Sequence, residues 1–280
     1  MRRMMVSVLL WFLASRAAAE TQFGPAVKDA DGVITHTIDS PHQAGPTDVR
    51  ILLPTTIAPG TKLPVVYLLP VEAGRGSRYG DAIAEVRALD AANRWRVICV
   101  APTFAALPWY ADHPTDARLA QESYFVKEVV PFVEAKYPAL AERGGRFLCG
   151  FSKSGWGAWS LLLRHPDRFE RAASWDAPLL MDAPGKYGSG PIFGDADNFS
   201  RYQITKLLDA TASQLTATAS DRSPPRLILL GFGSFVDHRP IHEQLDRLGV
   251  PHVYRDGPQT PHIWSRAWLE PALEALSSQP

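Results

Sequence analysis

Short apolar runs alternate with helical patterns along this chain. Residues 33–39 and 49–54 read as early strands, separated by the turn-rich SPHQAGP of 40–46. The run LPVVYLL (63–69) follows, then 96–101, 147–151, 172–175, 227–231 and 252–255. These are continuous apolar runs rather than strict alternations, the pattern of strands covered on both faces as in a parallel sheet. Helical patterns fall between them at 80–93, 119–136, 155–164 and 240–248, with Pro131 expected to bend the second. In the last, Ile241, Leu245 and Leu248 share one face, with Pro240 in the first turn and Gly249 as the stop. Strand–helix–strand alternation predicts one α/β domain with a mostly parallel central sheet flanked by helices. Residues 211–225, small and polar, are expected to form a surface loop. Residues 181–201, rich in Gly, Pro and Asp, are expected to form a long excursion able to wall a site.

Composition narrows the class. The 280 residues carry 29 basic and 29 acidic groups, with 46% hydrophobic residues, so the balance is that of a globular protein. Zero net charge argues against a nucleic-acid binder. Two cysteines cannot build a disulfide framework or a four-cysteine zinc site. Both lie in strand-like runs, so Cys99 and Cys149 are expected as buried thiols.

Residues 1–19 read as a cleaved secretory signal. Arg2 and Arg3 precede a short apolar stretch (6–14), and Ala17, Ala18 and Ala19 precede Glu20. The domain is then 20–280, secreted or periplasmic, with no membrane span after cleavage. Removing Arg2, Arg3 and Arg16 leaves 26 basic against 29 acidic groups.

The candidate chemistry lies in RFLCGFSKSGWGAWSLLL (146–163). An apolar strand enters a tight turn and then a helix, with Ser152 in the serine position of G-x-S-x-G and Gly150 two residues before it. Such a nucleophile has a strained backbone and needs small neighbours. Here Ser154 replaces the motif's second glycine and is a rival hydroxyl.

Several segments together resemble the "putative esterase" family of the α/β-hydrolase superfamily, which includes feruloyl and enterochelin esterases, S-formylglutathione hydrolases and mycolyltransferases. They are LPVVYLLP, PWYADHP, ESYFVKEVVPFVEAKYP, GFSKSGWGAWSLLLRHPDRF and LGVPHVYRDGPQTPHIW. The resemblance implies an α/β-hydrolase domain and a serine esterase without metal or organic cofactor. Its histidine position falls on His262, while His238 and His242 are expected to face solvent. The acid is left open. Asp176 ends the strand after the elbow helix; Asp237 follows the penultimate strand, where the resemblance expects an acid but Ser234 stands. The oxyanion hole is expected from the backbone N–H of Lys153 and of Val71 or Glu72, because Pro70 stands where the family usually has His-Gly. Trp109 and Tyr110 either line a substrate pocket or pack under the 181–201 segment.

Two functions follow. One is a secreted esterase acting on a small-molecule or polysaccharide-linked ester, with acyl transfer as a variant. The other is a non-catalytic ligand-binding module on the same fold, since fold does not dictate function.

Overall fold

The computed structural model describes residues 20–217, 224–231, 233–235, 237–257 and 259–278. The leader expected over 1–19 lies outside them. The described strands form a single sheet: β1 (Gln22–Phe23), β2 (Val27–Lys28), β3 (Ile34–Asp39), β4 (Thr47–Leu52), β5 (Val65–Leu68), β6 (Ile98–Pro102), β7 (Arg146–Phe151), β8 (Arg171–Trp175), β9 (Leu227–Leu230) and β10 (His252–Arg255). Their spatial order is β1-β3-β4-β6-β5-β7-β8-β9-β10, with β2 on β3. From β6 to β10 every pairing is parallel, and β1 to β4 add an antiparallel edge.

The parallel strands are apolar throughout because both faces are covered. In β5, Val65 and Tyr67 point into one core layer and Val66 and Leu68 into the other. The first layer lies under helices Ser152–Arg164, Ile204–Ala217 and His238–Arg247 and the helical run 121–136. The second lies under Ala82–Ala88 and Arg266–Ser277. Each fully buried Leu or Val contributes about 1.5–3 kcal/mol. Among the described residues, no helix is long and apolar enough to cross a membrane. Cys99 and Cys149 are free and buried; burial raises both thiols, Cys99 to about 12.

Several boundaries depart from expectation. The helix predicted over 80–93 is broken, since Asp90 takes φ 51° between Ala82–Ala88 and Ala91–Arg94. Helix 121–136 accommodates Pro131 by widening over Phe125–Val129, where the Val130 N–H reaches back to the Phe125 carbonyl. The expected loop at 211–225 is helical as far as Ala217: Leu208, Ala212 and Leu215 recur at i, i+4 and i+7 and are buried, which overrides the polar residues around them. Residues 218–223 of that segment lie outside the described ones. The 181–201 excursion folds into short helices, Gly190–Phe193 and Ala196–Ser200, and buries Ile192, Phe193 and Phe199.

Candidate active site

At the C-terminal edge of the sheet, β7 ends at Phe151 and its helix begins at Ser152, three residues earlier than periodicity suggests. Ser152 has φ 52°, a left-handed conformation that costs a serine energy. The turn tolerates nothing larger at its inner positions. A Cβ on Gly150 would lie 2.4 Å from the Ser154 carbonyl oxygen, and one on Gly155 would lie 2.6 Å from Ser174 Oγ. Ser154 is fully buried. Its hydroxyl donates to the Phe151 carbonyl (2.8 Å) and accepts from the Phe151 N–H (3.0 Å), so this residue caps the helix and is withdrawn from any substrate.

The fold brings Ser152, His262 and Asp176 together across 110 residues of chain. Ser152 Oγ lies 3.0 Å from His262 Nε2 and donates to it in the neutral-imidazole state. His262 Nδ1 donates to Asp176 Oδ2 at 2.5 Å. Asp176 follows β8 directly, itself at φ 43°, and its carbonyl accepts the Ser152 N–H at 3.1 Å. Acid and hydroxyl are thus tied through the backbone as well as through the imidazole.

Asp176 is 3% exposed. Burial works to raise its pKa. The hydrogen bond from His262 and the N–H groups of Phe235, Ser234 and Gly233 outweigh that and hold the carboxyl below its usual range. The Phe235 N–H reaches Oδ1 at 2.7 Å. The segment after β9, where the resemblance expects an acid, therefore supplies amides to a carboxylate carried on the neighbouring strand. Sequence reasoning missed this cradle. Its signal was Gly233: a Cβ there would sit 2.3 Å from Asp176 Oδ2. The alternative acid, Asp237, accepts the Leu180 N–H at 2.9 Å and is not bonded to His262. Burial raises its pKa. His238, expected to face solvent, is buried instead, with Nε2 3.1 Å from Asp256.

The expected oxyanion donors lie on two segments, the helix after Ser152 and the loop after β5. Lys153 lies in the first turn of its helix, where backbone N–H groups lack intrahelical partners and the helix end is positive. Among the described residues, the N–H groups of Val71 and Glu72 have no protein acceptor. Burial lowers the Lys153 ammonium's pKa against the opposing pull of Glu72.

Trp109 and Tyr110 do not line a surface pocket. Both are completely buried, Trp109 edge-on to Trp156 at 5.6 Å. The Tyr110 ring fills the space beside Gly157, where a Cβ would come within 2.0 Å of it. Tyr110 Oη donates to the Pro70 carbonyl at 2.5 Å, so the ring props the loop that holds Val71 and Glu72. Among the described residues, the aromatic groups that do face His262 are Tyr79, Phe151 and Phe235, with centroids 5.2–5.6 Å away. Tyr187, half exposed, stands edge-on to Phe235 at 5.2 Å.

A family model described as "Putative esterase" matches residues 40–184, over half of the chain. The chain belongs to this esterase family. Two esterases from strains of Mycobacterium tuberculosis are 26% identical to it over 246 residues, covering 75% of this chain and 51% of theirs. The chain thus spans about half the length of these curated relatives. A ferulic acid esterase structure superposes with a TM-score of 0.66 at 21% identity, covering 88% of this chain and 96% of that one. A fluorophosphonate-binding serine hydrolase of Staphylococcus aureus gives 0.68 at 18%, covering 91% and 100%. These likenesses establish the α/β-hydrolase fold. The family match takes in Ser152 and Asp176; His262 lies beyond it.

Proposed function

We propose that this chain is a serine esterase in which Ser152 is the nucleophile, His262 the general base and acid, and Asp176 the residue that orients the imidazole. The observation that carries the reading is the unbroken hydrogen-bond chain from Ser152 Oγ through His262 to Asp176. His262 Nε2 takes the hydroxyl proton as Oγ bonds to the ester carbonyl carbon. The N–H of Lys153 and that of Val71 or Glu72 then bind the oxyanion. Collapse breaks the C–O bond, and His262 returns the proton to the departing alcohol. Water attacks the acyl-enzyme by the same route and releases the acid and free Ser152. An alcohol in place of that water would make the second half an acyl transfer.

An ester with an aromatic or otherwise apolar group suits the site. Phe235 and Tyr187 form a shelf beside His262, and Leu180, Tyr187 and Ile263, from the segments that flank Asp176 and His262 in the chain, are exposed. Whether the alcohol is a small molecule or a polysaccharide would be read from a panel of model esters.

A fluorophosphonate probe tests the proposal. Wild type should be labelled and Ser152→Ala should not. A folded wild type that resists the probe would favour the non-catalytic binding module instead. On a short p-nitrophenyl ester, Asp176→Asn should lower kcat by about 10⁴-fold, by presenting the wrong imidazole tautomer. Asp237→Asn should leave kcat within about threefold, because its carboxylate accepts the Leu180 N–H and is not bonded to His262.

A further inference from the structure

At the opposite edge of the sheet, the start of β10 meets the end of helix His238–Arg247. His242 and Asp246 lie one turn apart on that helix, and His252 opens the strand. Sequence spacing gave no metal motif here. The fold nevertheless gathers these three side chains so that one ligand atom from each lies within 4.8 Å of the others. We propose that His242, Asp246 and His252 form a binding site for a divalent transition-metal ion of the zinc class.

The hydrogen bonds prepare the nitrogens for this role. His252 is the fixed point: its Nδ1 donates to the Val250 carbonyl at 2.8 Å, which leaves the Nε2 of a neutral ring with a bare lone pair. That lone pair faces His242 Nδ1 at 2.7 Å. His242 stacks on Tyr254, with centroids 3.9 Å apart and planes 13° from parallel, so its orientation is set as well. In the metal-free state the His242 Nδ1 proton fills the gap. A cation entering there needs only the other tautomer of His242, with the proton on Nε2. That nitrogen lies 3.4 Å from Asp246 Oδ2, which would receive it, while Oδ1 is 3.9 Å from His252 Nε2. Two ring nitrogens around a tetrahedral ion stand roughly 3.3 Å apart at ordinary Zn–N lengths. The side chains therefore spread by about half an ångström.

Two imidazoles and one carboxylate suit zinc, with water in the remaining position. An open cleft of about 530 Å³ bounded by Gly249, Pro251 and Tyr254 gives the ion a path from solvent. Ser152 and Asp176 follow the C-terminal ends of β7 and β8, whereas His252 begins β10. The site is therefore separate from the ester chemistry, and its ion would tie helix to strand at the sheet edge.

Isothermal titration with zinc chloride on the full chain, freed of metal by chelator, tests this. Wild type should bind one equivalent, and its Tm should rise by about 5 °C at a hundredfold excess over Kd. His242→Phe keeps the stack on Tyr254 and removes a ligand; Asp246→Asn changes an exposed position. Each should weaken zinc binding by tenfold or more and cut the Tm shift at the same zinc concentration to about half or less. Esterase activity measured in the same samples should not follow the metal. No stoichiometric binding by wild type, or equal binding by both variants, would overturn the proposal.

Discussion

Replacing Gly233 with alanine would test the cradle around Asp176 without touching any of the three residues assigned to the chemistry. The backbone tolerates the change, since Gly233 lies outside the left-handed region. The added methyl does not fit: its carbon would lie 2.3 Å from Asp176 Oδ2 and 2.6 Å from the Thr260 carbonyl oxygen. Ordinary carbon–oxygen contact begins at roughly 3.3 Å, so carboxylate and loop must part by about 1 Å. His262 Nδ1 is bonded to that same oxygen, and the imidazole must follow it or lose the bond. A misplacement of this size in a catalytic array costs about 10²-fold in rate, or ~2.7 kcal/mol of barrier. Gly233→Ala should therefore lower kcat on a p-nitrophenyl ester by about a hundredfold, with KM little changed. Fluorophosphonate labelling should slow in parallel. Circular dichroism and thermal melting would show whether the variant is folded. A folded Gly233→Ala protein with kcat within twofold of wild type would refute the placement of Asp176 as the partner of His262.

Two further substitutions probe the supports. Tyr110→Phe removes the donor to the Pro70 carbonyl; it should cost about 1 kcal/mol of stability in urea unfolding and lower kcat several-fold through a looser Val71–Glu72 loop, and unchanged kinetics would show that the prop is idle. Glu122 bonds Arg164, His165 and Tyr202; burial works to raise its pKa, but the His165 and Arg164 hydrogen bonds prevail and bring it down to about 2. The sign follows: because the folded pKa is lowered, this stabilisation is present above the unfolded carboxyl's pKa and is lost as pH falls through about 2. Glu122→Gln should lose up to about 3 kcal/mol at pH 7, and urea titrations should show the gap closing as the pH falls below about 4; a gap independent of pH would contradict it.

What the sequence made legible follows from local physics. A run such as VVYL has no polar face, so burial on both sides of the sheet could be read from four residues. The turn at Ser152 could be read because only small residues fit inside it. The choice between Asp176 and Asp237 could not, because it depends on β8 and β9 lying side by side and on which of the two following loops turns inward. Asp176 directly follows β8 and Asp237 starts the helix after β9, and the two look alike in one dimension. Trp109 and Tyr110 illustrate the same limit. A loop at the ligand-binding edge of a sheet can present its aromatics outward or drive them beneath it, and the deciding partners, Trp156, Gly157 and Pro70, are distant in the chain. The helical segment TASQLTA (211–217) was obscured because alanine, serine and threonine carry little hydrophobic signal, while the apolar positions that bury it are spaced a full turn apart.

The aromatic cluster beneath the site has a mechanical consequence. Trp156 stands one turn along the helix from Ser152 and touches both Trp109 and Phe193, at 5.6 and 5.5 Å. Phe193 belongs to the excursion between β8 and helix Ile204–Ala217. That excursion is consequently bolted to the nucleophile's own helix and cannot swing clear as a flap. Broadening what this protein accepts by lengthening the excursion would disturb the seat of Ser152, so the room for variation lies in the other flanking segment, around Phe235 after β9.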